Sequence, residues 1–311
     1  MNLTSIRSKP IDVSIIILNY NQSKLSLDCV SSILKVEKQL SFELIVVDNG
    51  SKQHEVKMLE QSDLKIHYKF VKSDKNGGFG YGNNLGAKHA KGIYLAFINN
   101  DTYFEKPCFS FLKDYMSAHS EVGVCAPQQL APNHVPRPSF DHHHGIRKFF
   151  FGGSFMETIF RKPKKKAHYS HPLEVDFIQG CFMFFRKTVF DEVRGFDPNI
   201  FLYYEEMDIC TRLQNNRHKV IYNPNIDFYH IHEASTSVSI KTTGAKKVQI
   251  LYSYLYVLYK NHSLIKFLII KNALLFSYFL KSPFRSKARV VFKALLKYNH
   301  NEAGKLFGLK D

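Results

Sequence analysis

The chain reads as an α/β protein built on a mostly parallel sheet, and three features predict it. Four apolar runs of strand length alternate with stretches of helical spacing. The first run, Val13 to Leu18 (VSIIIL), is β-branched and uninterrupted, as expected of a strand covered by helices on both faces. The strand ends are marked by Asn or Asp, at the carboxyl edge where open α/β sheets bind their ligands.

The elements follow in order. Val13–Leu18 ends in the loop residues Asn19, Tyr20 and Asn21, and Ser23 is placed to cap a helix carrying Leu25, Cys29, Ile33 and Leu34 on one side. Phe42 to Val47 repeats the pattern and is cut off by Asp48, Asn49, Gly50 and Ser51. Ile66 to Val71 is a weaker third strand, leading into the glycine-rich run NGGFGYGNNLG, Asn76 to Gly86, with helical spacing resuming at Leu85. Ile93 to Ile98 is the fourth strand and delivers Asn99, Asn100, Asp101 and Thr102. A helix at Cys108 to His119 and a strand at Val122 to Ala126 come next.

Residues 127–172, rich in proline and charge, read as one long mobile loop; the triplet His142 to His144 reads as part of its solvated surface. Order returns at Val175 to Phe185, then a short helix at Thr188 to Val193, a helix beginning near Glu205, a strand at Lys219 to Tyr222 and the segment Phe228 to His232. Residues 1–240 thus form the main domain. Beyond it, residues 241–311 turn to Tyr, Leu, Ile and Lys in helical rhythm and read as a C-terminal basic amphipathic helical region.

Charge separates the two parts. The formal net charge is +16; residues 241–311 hold 14 Lys and Arg against Glu302 and Asp311, hence +12, which leaves +4 for the first 240. A basic tail seeks an anionic surface, lipid headgroups or nucleic acid. The acidic cluster in the body and the lack of a recognised module motif argue against nucleic acid. Packing on the core or on a second copy as a homodimer is the alternative use of the tail. The N-terminus has no apolar segment of signal-peptide type, and Lys266, Lys271 and Asn272 break the run Leu264 to Leu280 that would otherwise span a bilayer. The five cysteines lack zinc or redox spacing and read as buried thiols in a reducing compartment.

Three groups carry the chemistry. The glycine run is not a dinucleotide fingerprint, since Gly78-Phe79-Gly80 would need its third glycine at Asn83; it is either a phosphate cradle or a structural turn. Asp101 at a strand end suits Mg²⁺ or Mn²⁺ as an oxygen ligand, or an ordinary turn. Glu205, Glu206 and Asp208 open a helix, where acids favour the positive end and Asp208 pairs with Arg212. Glu206 lies one and two turns before Cys210 and Leu213, on the side facing protein, so burial should raise its pKa into the range of a general base. His230 and His232 are either metal ligands or structural histidines.

Together, LNYN (Leu18 to Asn21), VVDNGS (Val46 to Ser51), NGGFGYGNNLG, INNDT (Ile98 to Thr102), GCFMFFRK (Gly180 to Lys187) and GFDPNIFLYYEEMDICTRL (Gly195 to Leu213) resemble the family 2 glycosyltransferases of the GT-A fold, in particular their rhamnosyltransferase-like branch in bacterial surface polysaccharide synthesis. The resemblance implies that Leu18, Asn19, Tyr20 and Asp48 hold the nucleotide and that Asn76, Gly77, Gly78 and Asn84 shape the donor pocket. INNDT takes the place of the Asp-x-Asp motif, with Asn99 and Asn100 at the nucleotide sugar and Asp101, helped by His230, at a divalent cation, Mg²⁺ or Mn²⁺. Glu205 and Glu206 take the place of the Glu-Asp pair whose second acid is the catalytic base.

The implied reaction is an inverting transfer from a dTDP- or UDP-sugar to a glycan or lipid-linked acceptor, by a cytoplasmic enzyme peripheral on the inner face of the bacterial membrane. A Glu-Glu pair instead leaves open a nucleotide-sugar-binding protein without catalysis.

Overall fold

A computed structural model describes residues 10–143, 145–231 and 244–299. In chain order, β1 (Val13–Asn19), α1 (Ser23–Val36), β2 (Phe42–Asn49), α2 (Gln53–Glu60), β3 (Tyr68–Ser73), α3 (Phe79–Ala87) and β4 (Tyr94–Asn99) form the first half. Then come β5 (Thr102–Tyr103), α4 (Cys108–Ala118), β6 (Val122–Leu130), β7 (Pro136–Arg137), β8 (Phe140–Asp141), α5 (Ile146–Ile159), β9 (Leu173–Glu174), β10 (Phe177–Ile178), β11 (Phe182–Arg186), α6 (Lys187–Glu192), α7 (Glu205–Asn215) and β12 (Lys219–His230). Three helices follow, α8 (Gly244–Asn261), α9 (Leu264–Lys281) and α10 (Ser286–Lys297).

The sheet runs β3-β2-β1-β4-β11-β6-β12-β5, with β1 to β4 parallel and β11 antiparallel between β4 and β6. Register places the polar strand ends side by side: Asn19 opposite Asp48, and Leu18 opposite Asn99. Alternation along β1 sends Ile15 and Ile17 into a core beneath α1 and α4, and Ile16 into a second core beneath α6 and α7. Both faces are covered, which is why VSIIIL has no polar side.

The glycines of the α3 run serve this packing. A Cβ at Gly82 would meet the Leu18 side chain at 2.3 Å and one at Gly86 would meet Ile16 at 2.5 Å, so the helix lies unusually close to the sheet. The helix accordingly starts at Phe79, six residues before the expected Leu85.

Other expectations are corrected. Gln22 rather than Ser23 is the N-cap residue of α1; the Ser23 hydroxyl donates across to the Glu55 carbonyl at 2.9 Å. Ile66 is exposed in a 3₁₀ turn, and β3 begins at Tyr68. Residues 127–172 are not one loop but hold β7, β8 and α5, the last interrupted at Gly152 with φ +80°. His142 in that segment is buried rather than solvated, between Glu157 and Asp176 at 3.7 and 3.8 Å, because a charged layer of Asp141, Lys148, Lys162 and Lys165 pins the segment down. Lys219–Tyr222 and Phe228–His230 are one strand with an irregularity between Asn223 and Asp227. All five cysteines are free and buried.

The helices after residue 243 share a third core, including Leu255, Leu258, Ile270, Val291 and Leu295. Of these helices, α8 also packs on the main domain, through Val257 and through Lys260, which reaches Asp197 at 2.6 Å and Asp208 at 2.9 Å. No helix among the described residues is long and apolar enough to cross a membrane.

Candidate active site

The carboxyl ends of β1, β2 and β4 form one rim. Asn19 Nδ2 donates to Asp48 Oδ1 at 2.9 Å, and Asp48 Oδ2 accepts from the Ser51 backbone N–H at 3.0 Å; both residues are fully buried. Asn100 is buried too and ties β4 to α1, donating to Gln22 O and Ser26 Oγ, both at 3.2 Å. These three side chains hold the rim together from behind. Tyr20 is about half exposed, at 48%, while Leu18 and Asn99 are partly buried.

Asn49, the last residue of β2, to which the sequence assigns no role beyond ending the strand, organises the glycine loop. Its Nδ2 donates to Asn76 Oδ1 at 3.0 Å and to Gly78 O at 3.1 Å, and its Oδ1 accepts from Gly77 N–H at 3.2 Å. Asn84 is spent on the backbone of Phe196, donating to its carbonyl at 2.8 Å and accepting from its N–H at 3.0 Å. Gly78, at φ +88°, leaves no room for a side chain: a Cβ would lie 2.0 Å from the Phe201 carbonyl oxygen. That same oxygen accepts from Phe79 N–H at 2.9 Å. The loop before α7 is thereby joined to the start of α3, which brings Glu205 and Glu206 to the rim.

Asp101 is 1% exposed, with Oδ1 3.0 Å from His230 Nε2. Its Oδ2 is buried and has no hydrogen-bond partner among the described residues. Burial alone would lower the His230 pKa, but the hydrogen bonds to Asp101 and Cys181 outweigh it and raise the value to about 10. Gln129 Nε2 meets His230 Nδ1 at 3.1 Å and fixes the ring from behind. Gln129 lies one residue before the end of β6 and three beyond Ala126, where the sequence alone ends that strand, so no local signal marks it. His232 lies outside the described residues.

Of the two glutamates, Glu205 is the more deeply buried, at 4% exposure, and Glu206 is partly open. This corrects the view of Glu205 and Asp208 as acids that merely favour the helix start. Asp208 is fully buried and held by Arg212 at 2.8 Å and by Lys260. Burial and the neighbouring Glu206 charge push the Glu205 carboxyl well above the usual carboxylate range, and its Oε2 has no hydrogen-bond partner among the described residues. Burial, with the charge of Asp141 adding to it, raises Glu206 to about 7. Two adjacent acids with differing exposure give one neutral carboxyl and one poised to exchange a proton near neutrality.

The rim therefore combines a glycine loop at a helix start, an orphaned carboxylate oxygen beside a histidine, and an acid pair. Residues 14–194 match the family model described as glycosyl transferase family 2. The chain belongs to this family. A glycosyltransferase of Rickettsia felis is 27% identical over 182 residues, 58% of this chain but only 27% of that protein's length. Rhamnosyltransferase WbbL of Escherichia coli K12 is 26% identical over 228 residues, 61% of this chain and 83% of that protein. Among solved structures, the mannosyltransferase PcManGT of Pyrobaculum calidifontis, in complex with GDP-Man and Mn²⁺, superposes with a TM-score of 0.54 at 12% identity, over 96% of this chain and 86% of that one. The family's architecture here is the GT-A fold, as the motifs implied.

Proposed function

We propose that this family 2 glycosyltransferase moves a hexose, with rhamnose as first candidate, from a dTDP- or UDP-sugar to a hydroxyl of a lipid-linked or growing glycan, with inversion. The observation that carries this reading is the Phe79 N–H to Phe201 O bond at 2.9 Å, which places the glycine loop and the Glu205/Glu206 helix at one sheet edge. The similarity to WbbL supports the sugar, and Asn99 in the Asp-x-Asp position suits that branch.

In this reading, Leu18, Tyr20 and Asn99 line the nucleotide pocket, while the buried Asn19, Asp48 and Asn100 support its wall through their internal hydrogen bonds. Asn76, Gly77 and Gly78, their loop fixed by the bonds to Asn49 and Phe201, shape the wall of the donor pocket. Glu206 accepts the proton of the attacking acceptor hydroxyl as the bond from the anomeric carbon to the diphosphate breaks. A positioned base of this kind contributes roughly 10²- to 10⁴-fold. Glu205, held neutral, keeps a second negative charge away from the base.

Asp101 suits a divalent cation, and His230, held 3.0 Å from it with a raised pKa, would join as a ligand on giving up its proton. The buried, unpartnered Asp101 Oδ2 is a vacant oxygen donor, and Mg²⁺ or Mn²⁺ takes its remaining ligands from water and substrate phosphates. When bound, such an ion neutralises charge developing on the leaving diphosphate. The basic C-terminal helices place the enzyme on the inner face of the cell membrane beside its acceptor.

A thermal-shift screen of nucleoside diphosphate sugars with Mn²⁺ or Mg²⁺, followed by a transfer assay with the stabilising donor, tests the proposal. Stabilisation by a donor and its consumption support it. Stabilisation with no turnover on any acceptor, and no hydrolysis, would leave a binding protein instead.

A further inference from the structure

The helix α9 is apolar on two opposite sides, and only one of them is covered. On a helix of 3.6 residues per turn, Phe267, Ile270, Leu274 and Tyr278 share the side packed in the C-terminal core. Ile265, Leu268, Ile269, Phe276 and Phe279 share the other, which faces outward; Ile265 is 72% and Phe276 64% exposed. Asn272 is the one polar residue within that outer stripe; Lys266 falls on one flank, and Lys271 turns to the packed side, over the rings of Phe267 and Tyr298. A helix that is hydrophobic all round is normally buried all round.

A second exposed apolar side lies on α5, which contacts α9. Ile146 and Phe149 of α5 pack on the same C-terminal core, while the next two residues, Phe150 and Phe151, are 51% and 61% exposed. Exposed cations stand on α5 and shortly after it: Arg147, Arg161, Lys164 and Lys166. Residues 244–299 contain eleven Lys and Arg and neither Asp nor Glu. Exposed aromatic and aliphatic residues accompanied by cations, with acids absent from the C-terminal helices, match the interface of an anionic bilayer, where apolar residues enter the acyl boundary and the long basic stems reach headgroups.

We infer that the outward sides of α5 and α9 form one bilayer-docking surface that takes an anionic lipid membrane. The surface draws on the main domain as well as on the basic C-terminal region, so it fixes the orientation of the site relative to the lipid. It rests on the proposed function only in giving the membrane a purpose, namely access to a lipid-linked acceptor.

The test is flotation of the full chain with vesicles of phosphatidylcholine alone and of phosphatidylcholine with phosphatidylglycerol. Recovery with the anionic vesicles is expected, and much weaker recovery with the neutral ones. Two variants at exposed positions, Ile265→Ser/Phe276→Ser and Phe150→Ser/Phe151→Ser, are each expected to lower the partition coefficient roughly tenfold or more. Their thermal unfolding and donor turnover should be those of the unsubstituted chain.

Equal flotation of both variants, or none by the unsubstituted chain, would overturn the inference. So would a dimer that Ile265→Ser/Phe276→Ser converts to monomer without any flotation, since a second copy would then cover the surface. Failure of the transferase reading shows separately, as absent donor turnover by the unsubstituted chain whatever the flotation result.

Discussion

Ser253 Oγ of α8 donates to the backbone carbonyl of Leu202 at 2.8 Å, fastening the C-terminal helices to the turn that presents the acid pair. That turn is strained. Tyr203 and Tyr204 both have left-handed backbones, φ +70° and +69°, immediately before Glu205. Each such residue other than glycine costs about 1–2 kcal/mol, so neighbouring contacts must hold the turn in place. Besides Ser253, Tyr254 packs its ring 5.3 Å from that of Tyr204, and Lys260 pairs with Asp197 and Asp208 on either side of the turn.

Lys260→Met should therefore act on both stability and chemistry. Asp208 is fully buried and would keep Arg212 and Asn261 but lose one cation. A loss of about 1–3 kcal/mol is expected in urea unfolding at pH 7. The turnover number should fall with little change in the donor KM; unchanged turnover would mean that α8 does not position the acids.

Glu206→Gln should leave donor binding intact in a thermal-shift assay and reduce transfer by about 10²- to 10⁴-fold. The pH profile checks the same assignment. A base must be deprotonated to work, and the Glu206 carboxyl is raised to about 7, so kcat/KM should climb as pH rises from 6 to 8. In Glu206→Gln that climb should vanish; its persistence would assign the base elsewhere.

Removal of divalent cations by a chelator should stop transfer, with Mn²⁺ or Mg²⁺ restoring it. Asp101→Asn replaces an acceptor-only carboxylate by an amide and should raise the metal concentration needed for half activity by roughly tenfold or more. Titration of activity against Mn²⁺ reads this directly. An identical curve for Asp101→Asn would remove Asp101 from the metal site.

Gly78→Ala should destabilise the protein by about 1–3 kcal/mol, because φ is +88° and the new methyl would meet the Phe201 carbonyl at 2.0 Å. Donor affinity should fall with it, as the glycine loop and the turn before α7 are pushed apart. Gly153→Ala is the control: nothing lies within 4 Å of its Cβ, and its stability should match or slightly exceed that of the unsubstituted chain.

The sheet and its rim were legible in the sequence because they depend on local signals. An unbroken apolar run such as VSIIIL requires cover on both faces, and the polar residues that stop it must lie at the sheet edge. Asp101 and the Glu205/Glu206 pair stand at a strand end and a helix start for that reason, whereas His230 is singled out only by the family resemblance. The order of the strands, the burial of Glu205 beneath the more open Glu206, and the loss of Asn19, Asn84 and Asn100 to internal hydrogen bonds are decided by contacts between residues far apart in the chain. Sequence periodicity cannot register those contacts. The same holds for residues 127–172, where prolines and charges suggested a loop but ion pairs with Asp141 and Asp176 secure an ordered segment. Charge and helical rhythm by themselves established that the tail is basic and amphipathic; only packing decided that α8 clamps the turn before Glu205 while α9 keeps one apolar side in the open.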